Sequence, residues 1–115
     1  MSELLQAHVE RFNAGARSGE WGPMLEQFDE DAEMEFRGIP VGPYVGKEAI
    51  AVAYREQPPD DELRVLELRK REDGVDARYA WLAEPEIAAG EMLLTATGGR
   101  ISRLVVTFDR GVVWG

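Results

Sequence analysis

EWGPMLEQFDEDAEMEFRGIPVGPYVGKEAI, from Glu20 to Ile50, is the stretch that decides the fold. Pro23 suits the first turn of a short helix, where its missing N–H would have had no partner. Met24, Leu25 and Phe28, at i, i+1 and i+4, give that helix one apolar face, which the acidic run Asp29-Glu30-Asp31 ends. Ala32, Met34 and Phe36 then alternate with Glu33 and Glu35, the pattern of a strand with one buried face. Gly38, Pro40, Gly42 and Pro43 break regular structure, and Gly46-Lys47-Glu48-Ala49-Ile50 opens another helix.

Before this stretch, Ser2 is a plausible N-cap, and Leu5, Val9, Phe12 and Ala16 form one helical stripe with His8 on its flank. Trp21, between Gly19 and Gly22, reads as a packing anchor joining the first two helices. After it, the helix from Lys47 to about Gln57 presents Ile50, Ala53 and Tyr54 on one face, and Pro58-Pro59 stops it. Asp60-Asp61 read as solvated turn residues.

The period then becomes strand-like. Leu63 and Val65 alternate, Leu66 and Leu68 continue in the opposite phase, and a bulge near Val65–Leu66 reconciles them. Asp73-Gly74 is a tight-turn signal, after which Val75, Ala77, Tyr79 and Trp81 alternate with Asp76, Arg78, Ala80 and Leu82. Ile87 to Ala96 is apolar on both faces, as a central strand is. Gly98-Gly99 turns the chain into a last strand with Leu104, Val106 and Phe108 on one face and Arg103, Val105 and Thr107 on the other. The tail Gly111-Val112-Val113-Trp114-Gly115 is too apolar for solvent and should pack.

Helices first and strands after give an α+β class, and 115 residues fit a single domain over 1–115. The chain carries 22 acidic and 13 basic side chains, a formal net charge of −9, which repels phosphate backbones and anionic membrane surfaces. Nucleic acid and membrane are therefore not expected partners. There is no cysteine and one histidine, so disulfides, thiolate chemistry and a zinc site are not expected. No nucleotide-binding glycine motif occurs, so no cofactor is expected either. Neither a signal peptide nor an apolar run of about 18 residues is seen, and the expected location is cytoplasmic.

The pattern GEW…L…F…DA…F, then GPYVGKEAI and the late Gly99-Arg100-Ile101, resembles the nuclear transport factor 2-like superfamily, on its ketosteroid isomerase and SnoaL-like polyketide cyclase side. The resemblance runs over nearly the whole chain. It implies a cone: three N-terminal helices packed in a strongly curved, mainly antiparallel sheet, open at one end as a ligand pocket. It also implies a homodimer through the outer sheet face, for which Met92, Leu94 and Val105 would be the apolar outward set.

The resemblance carries a mixed catalytic message. The oxyanion-holding tyrosine of ketosteroid isomerases falls at Phe12 and the general-base aspartate at Phe36, neither of which handles a proton. The protonated acid falls at Glu91 and a supporting tyrosine at Tyr54. Glu91, in an apolar strand, either faces the pocket with a raised pKa or points outward to an arginine such as Arg78 or Arg103. Asp76-x-Arg78 is similar to the Asp/Arg pairs of epoxide hydrolases of this fold, but the phase of Tyr79 and Trp81 turns both outward as a solvated ion pair.

The expected function is binding of a hydrophobic, ring-containing small molecule, with acid–base chemistry of the isomerase, cyclase or hydrolase kind through Glu91, assisted by Tyr54 or His8. The alternative is a non-catalytic binding or dimerisation module of the same fold. By alternation the pocket is lined by Phe12, Met34, Phe36, Tyr79, Trp81, Leu93, Leu104, Val106 and Phe108.

Overall fold

The computed structural model describes residues 3–114, so the Ser2 cap and Gly115 lie outside the described residues. Helix α1 (Glu3–Ser18) and the one-turn α2 (Gly22–Leu25) lead into β1 (Phe28–Arg37), the two-residue β2 (Tyr44–Val45) and α3 (Lys47–Glu56). Four strands complete the chain: β3 (Leu63–Lys70), β4 (Gly74–Trp81), β5 (Gly90–Thr97) and β6 (Arg100–Phe108). They form one six-stranded sheet in the order β2-β1-β6-β5-β4-β3. β1 and β6 run parallel and every other neighbouring pair is antiparallel, so the sheet is mixed.

The sheet curves around the helices. Register shifts fall between Phe28 and Glu33, between Val65 and Glu67, and between Thr95 and Ala96. The second of these is the bulge that the phase change at Val65–Leu66 called for, and such bulges sharpen local twist and bend. At Gly74 and Gly90 a Cβ would overlap the backbone carbonyls of Leu94 and Thr107, so the neighbouring strands approach more closely than side chains permit.

Inside the curve, Leu5, Phe12, Met24, Ile50 and Tyr54 of the helices pack on Met34, Leu63, Ala77, Tyr79, Met92, Leu94 and Leu104 of the strands. Full burial of side chains of this size contributes about 1.5–3 kcal/mol each. α1 is also sewn to β3 by Asn13, whose amide donates to Leu63 O at 2.9 Å and whose carbonyl accepts from Leu63 N at 2.8 Å.

Several sequence expectations shift here. Phe28 belongs to β1, not to the short helix, and the acidic run Asp29-Glu30-Asp31 lies within the strand. A four-residue helix cannot extend to Phe28 once Gln27 carries its backbone to β6, with Ile101 N donating to Gln27 O at 2.8 Å. On α1 the buried face is Leu5, His8, Phe12 and Gly15, rotated by one residue from the expected stripe, because Gly15 admits Trp21 against the helix. That rotation takes His8 from the flank to the buried centre, where it is 3% exposed.

The largest correction concerns β5. Ile87 to Ala89 belong to the preceding turn and the strand begins at Gly90. Met92 and Leu94 face inward, opposite Val106 and Leu104, whereas Glu91 and Leu93 face outward, opposite Thr107 and Val105. Of the apolar outward set, only Val105 points that way. Begun at Ile87 the run reads as apolar on both faces and offers no phase; begun at Gly90 its outward positions Glu91, Thr95 and Thr97 are polar, with Leu93 the exception.

The outer face is largely ionic. Arg103 meets Glu35 at 2.7 Å and Glu33 at 3.6 Å, and Arg78 pairs with Glu67 across the β3–β4 ladder. Asp76 faces outward as expected but is not solvated: it is 6% exposed and bound by Arg69 at 3.2 Å and by Arg71. Burial would raise its pKa, but hydrogen bonds and charge from Arg71 and Arg69 outweigh that and hold it below the usual carboxylate range. The C-terminal tail packs across this face. Trp114 Nε1 donates to Glu91 Oε1 at 2.6 Å, the Arg69 guanidinium lies 4.1 Å from the centre of the Trp114 ring, and Arg78 donates to Val112 O at 3.3 Å.

Candidate functional site

The open end of the cone holds a cavity of about 440 Å³. α1 contributes His8 and Phe12, α3 contributes Ala53 and Tyr54, and the sheet contributes Met34, Phe36, Leu63, Tyr79, Trp81, Met92, Leu104, Val106 and Phe108. β2 adds Tyr44, and loops supply the rest: Ile39 and Val41 before β2, Gln57, Pro59, Asp60 and Asp61 after α3, and Ala83 and Glu84 after β4. The buried members line the interior and the exposed loop residues form the mouth.

The walls are an aromatic network. Phe12 lies 5.6 Å from Trp21, 6.4 Å from Tyr54 and 6.4 Å from Trp81, and Tyr79 stands edge-on to Trp81 at 5.7 Å. Phe36 stacks on Phe108 at 6.1 Å and meets Tyr44 edge-on at 6.2 Å. Offset and edge-to-face pairs of this kind add about 0.5–1.5 kcal/mol beyond area burial and hold the rings in place.

Polar groups inside are few, and two lack partners among the described residues. Tyr79 is 1% exposed and its hydroxyl makes no hydrogen bond. His8 Nδ1 is likewise unpaired; Gln27 lies beside the ring, yet neither Nδ1 nor Gln27 Oε1 has a bond of ordinary geometry. Burial pushes the His8 pKa down to about 4, against a smaller opposing pull from Gln27. At neutral pH it is therefore an uncharged imidazole. Burial also pushes the phenols of Tyr54 and Tyr79 above their ordinary pKa, so both remain protonated. An orphaned buried polar atom costs on the order of 1–3 kcal/mol, a cost that a ligand group able to pair with it removes.

Most of the sequence-read residues meet in this cavity: His8, Phe12, Met34, Phe36, Tyr54, Tyr79, Trp81, Leu104, Val106 and Phe108. Glu91 and Leu93 do not. Glu91 is held by the Trp114 indole on the far side of the sheet, neither buried in the cone nor paired with an arginine. Sequence reasoning missed Met92, which the inverted phase of β5 sent outward, and the loop residues of the mouth. Ile39 and Val41 carried a usable signal, being apolar in a Gly/Pro-rich loop. Asp60 and Asp61 carried none, since acidic residues after Pro58-Pro59 fit any solvated turn. Among the described residues no group of three histidine, cysteine or carboxylate side chains could hold a metal ion.

No family model matches the chain, and no curated protein is similar to it. Solved structures are similar. A nuclear transport factor 2-like protein of unknown function from Cytophaga hutchinsonii superposes with a TM-score of 0.70 at 17% identity, covering 93% of this chain and 88% of the other. A protein provisionally named a polyketide cyclase, from Xanthomonas campestris, gives 0.67 at 18% identity over 94% and 89%. A de novo designed protein with a curved β-sheet gives 0.67 at 16% over 95% and 88%. That a designed chain fits as well as natural ones shows that the likeness carries architecture and not activity. The chain has the fold of the nuclear transport factor 2-like proteins, an α+β cone of helices in a curved sheet.

Proposed function

We propose that the protein binds a hydrophobic, ring-containing small molecule in the aromatic cavity, as a binding protein rather than as an isomerase of the ketosteroid type. The observation that carries this is a 440 Å³ space walled by aromatic rings in which the hydroxyl of Tyr79 is left unpaired. Cavities of this size with a few convergent polar points are typical small-molecule sites.

Binding without turnover is favoured because Phe12 and Phe36 stand where the family's proton-handling residues would be, and Glu91 lies outside the cavity. A second reading, acid–base chemistry with His8 as base and Tyr54 or Tyr79 as hydrogen-bond donors, has one observation in its favour. The imidazole is neutral at physiological pH and lines the same cavity as both phenols. A base with a pKa of about 4 is weak, which limits the rate such chemistry would reach.

A thermal-shift screen of cyclic ketones, lactones and polyketide-like rings tests the main reading. Compounds that raise Tm in the wild type and not in Ala53→Trp, which fills the cavity, are the expected result. A screen with no stabilising ring compound counts against it. We also propose homodimerisation through the outer sheet face, on narrower support than the sequence suggested: Leu93 and Val105 lie there, among ion pairs. Sedimentation that shows monomer alone at micromolar concentration rejects it.

A further inference from the structure

The mouth of the cavity is acidic. Asp60, Asp61 and Glu84 line it, and neither lysine nor arginine is among the lining residues. Glu84 is neutralised by Arg110, at 2.6 and 3.1 Å. Asp61 accepts from the backbone N–H groups of Glu62 and Ala83, at 2.8 and 3.1 Å, which fixes its carboxylate at the rim without cancelling its charge. Asp60 is exposed and makes no ion pair or side-chain hydrogen bond among the described residues.

Acidic residues alone would be no more than a solvated rim. Here they open onto a cavity with its own sign of a ligand, the unpaired hydroxyl of the lining residue Tyr79, which is 1% exposed. The half-buried rings of Phe36, Tyr44, Trp81 and Phe108 line the same cavity.

We infer that the ligand is a hydrophobic cation, a ring compound bearing a protonated amine or quaternary ammonium group, with its apolar body among the aromatic walls and its positive charge at Asp60 and Asp61. The inference rests on the reading of the cavity as a small-molecule site. Three effects favour a cation there. Two carboxylates without a basic partner attract it, aromatic faces stabilise it, indole most of all, and a net charge of −9 concentrates cations around the whole molecule. The same field opposes carboxylates, phosphates and other anionic ligands.

The test uses one scaffold with three heads: 4-phenylcyclohexylamine, 4-phenylcyclohexanol and 4-phenylcyclohexanecarboxylate, measured by calorimetry on the full chain. The amine is expected to bind about tenfold more tightly than the alcohol, and the carboxylate more weakly than both. Asp60→Asn should cut the amine's advantage several-fold and leave the alcohol unchanged. Because Asp61 also holds Ala83, raised ionic strength serves as the second probe: it should weaken the amine alone. Equal affinities for amine and alcohol, or tighter binding of the carboxylate, overturn the charge inference and leave the cavity reading standing. Absence of binding by all three, or amine binding that survives Ala53→Trp, overturns the cavity reading itself.

Discussion

At the residue scale, His8 is the side chain whose chemistry the fold alters most. Its pKa falls from 6.5 to about 4 because burial opposes the charged ring. Between those values the unfolded chain binds a proton that the native state does not, so acidification favours unfolding. The contribution of His8 to stability is whole above pH 6.5, is lost as pH falls below that value, and levels off below about pH 4. Over the full window the loss amounts to about 3 kcal/mol. His8→Phe should therefore match or slightly exceed the wild type at neutral pH, since an unpaired buried nitrogen is removed, and should lose less stability on acidification. Urea denaturation at pH 7 and pH 4.5 measures both. Parallel losses in the two proteins would mean that His8 takes up its proton without unfolding. Glu91 gives the opposite case. Glu91→Gln preserves an acceptor for the Trp114 indole, so stability should change by less than about 1 kcal/mol and ligand affinity should not change.

At the element scale, α1 and β5 show why some of the fold was legible in the sequence and some was not. α1 announced itself by period, but which of two adjacent stripes faces inward depended on Gly15, where a Cβ would overlap the Trp21 ring. Gly15→Ala tests that contact. In an ordinary helix interior this change stabilises by about 0.5–1 kcal/mol; here overpacking should reverse the sign, with a net loss of about 1–2 kcal/mol. A stabilised Gly15→Ala would mean that Trp21 is free to move aside. Strands with a largely polar outer face were read correctly: Met34 and Phe36 alternate with Glu33, Glu35 and Arg37, and Leu104 and Val106 fall between Arg103 and Thr107 with Val105 as the one apolar outward position. In β5 the run that reads as apolar on both faces starts three residues early, at Ile87, and Leu93 interrupts the polar outward set Glu91, Thr95 and Thr97, so its phase was set by pairing with β4 and β6, and Glu91 went with it. The mouth of the cavity is made of loops, which carry no period, and their approach to one another is decided by tertiary contacts such as Asp61 to Ala83.

At the scale of the whole molecule, the sheet separates two environments: an aromatic cavity inside and, outside, ion pairs crossed by the C-terminal tail. The tail was expected to pack, and a place at the mouth of the cone would have closed the cavity. Instead Trp114 lies on the outer face between Glu91 and Arg69. The indole hydrogen bond to a carboxylate and the cation–π contact, both only partly buried, together contribute about 1–2 kcal/mol. Trp114→Ala should therefore lower Tm, by roughly 4 °C per kcal/mol lost in a domain of this size. Trp114→Phe separates the two interactions, because it keeps a ring over Arg69 and removes only the N–H donor. Combined with Glu91→Ala in a double-mutant cycle, it should show a coupling of about 1 kcal/mol, the part due to the hydrogen bond. Neither variant should alter ring-compound affinity by more than about twofold, since Trp114 lies on the sheet face opposite the cavity and independent sites add. Loss of ligand binding in Trp114→Ala, with the fold intact by circular dichroism, would show that the two faces of the sheet are coupled through β5 and not insulated by it.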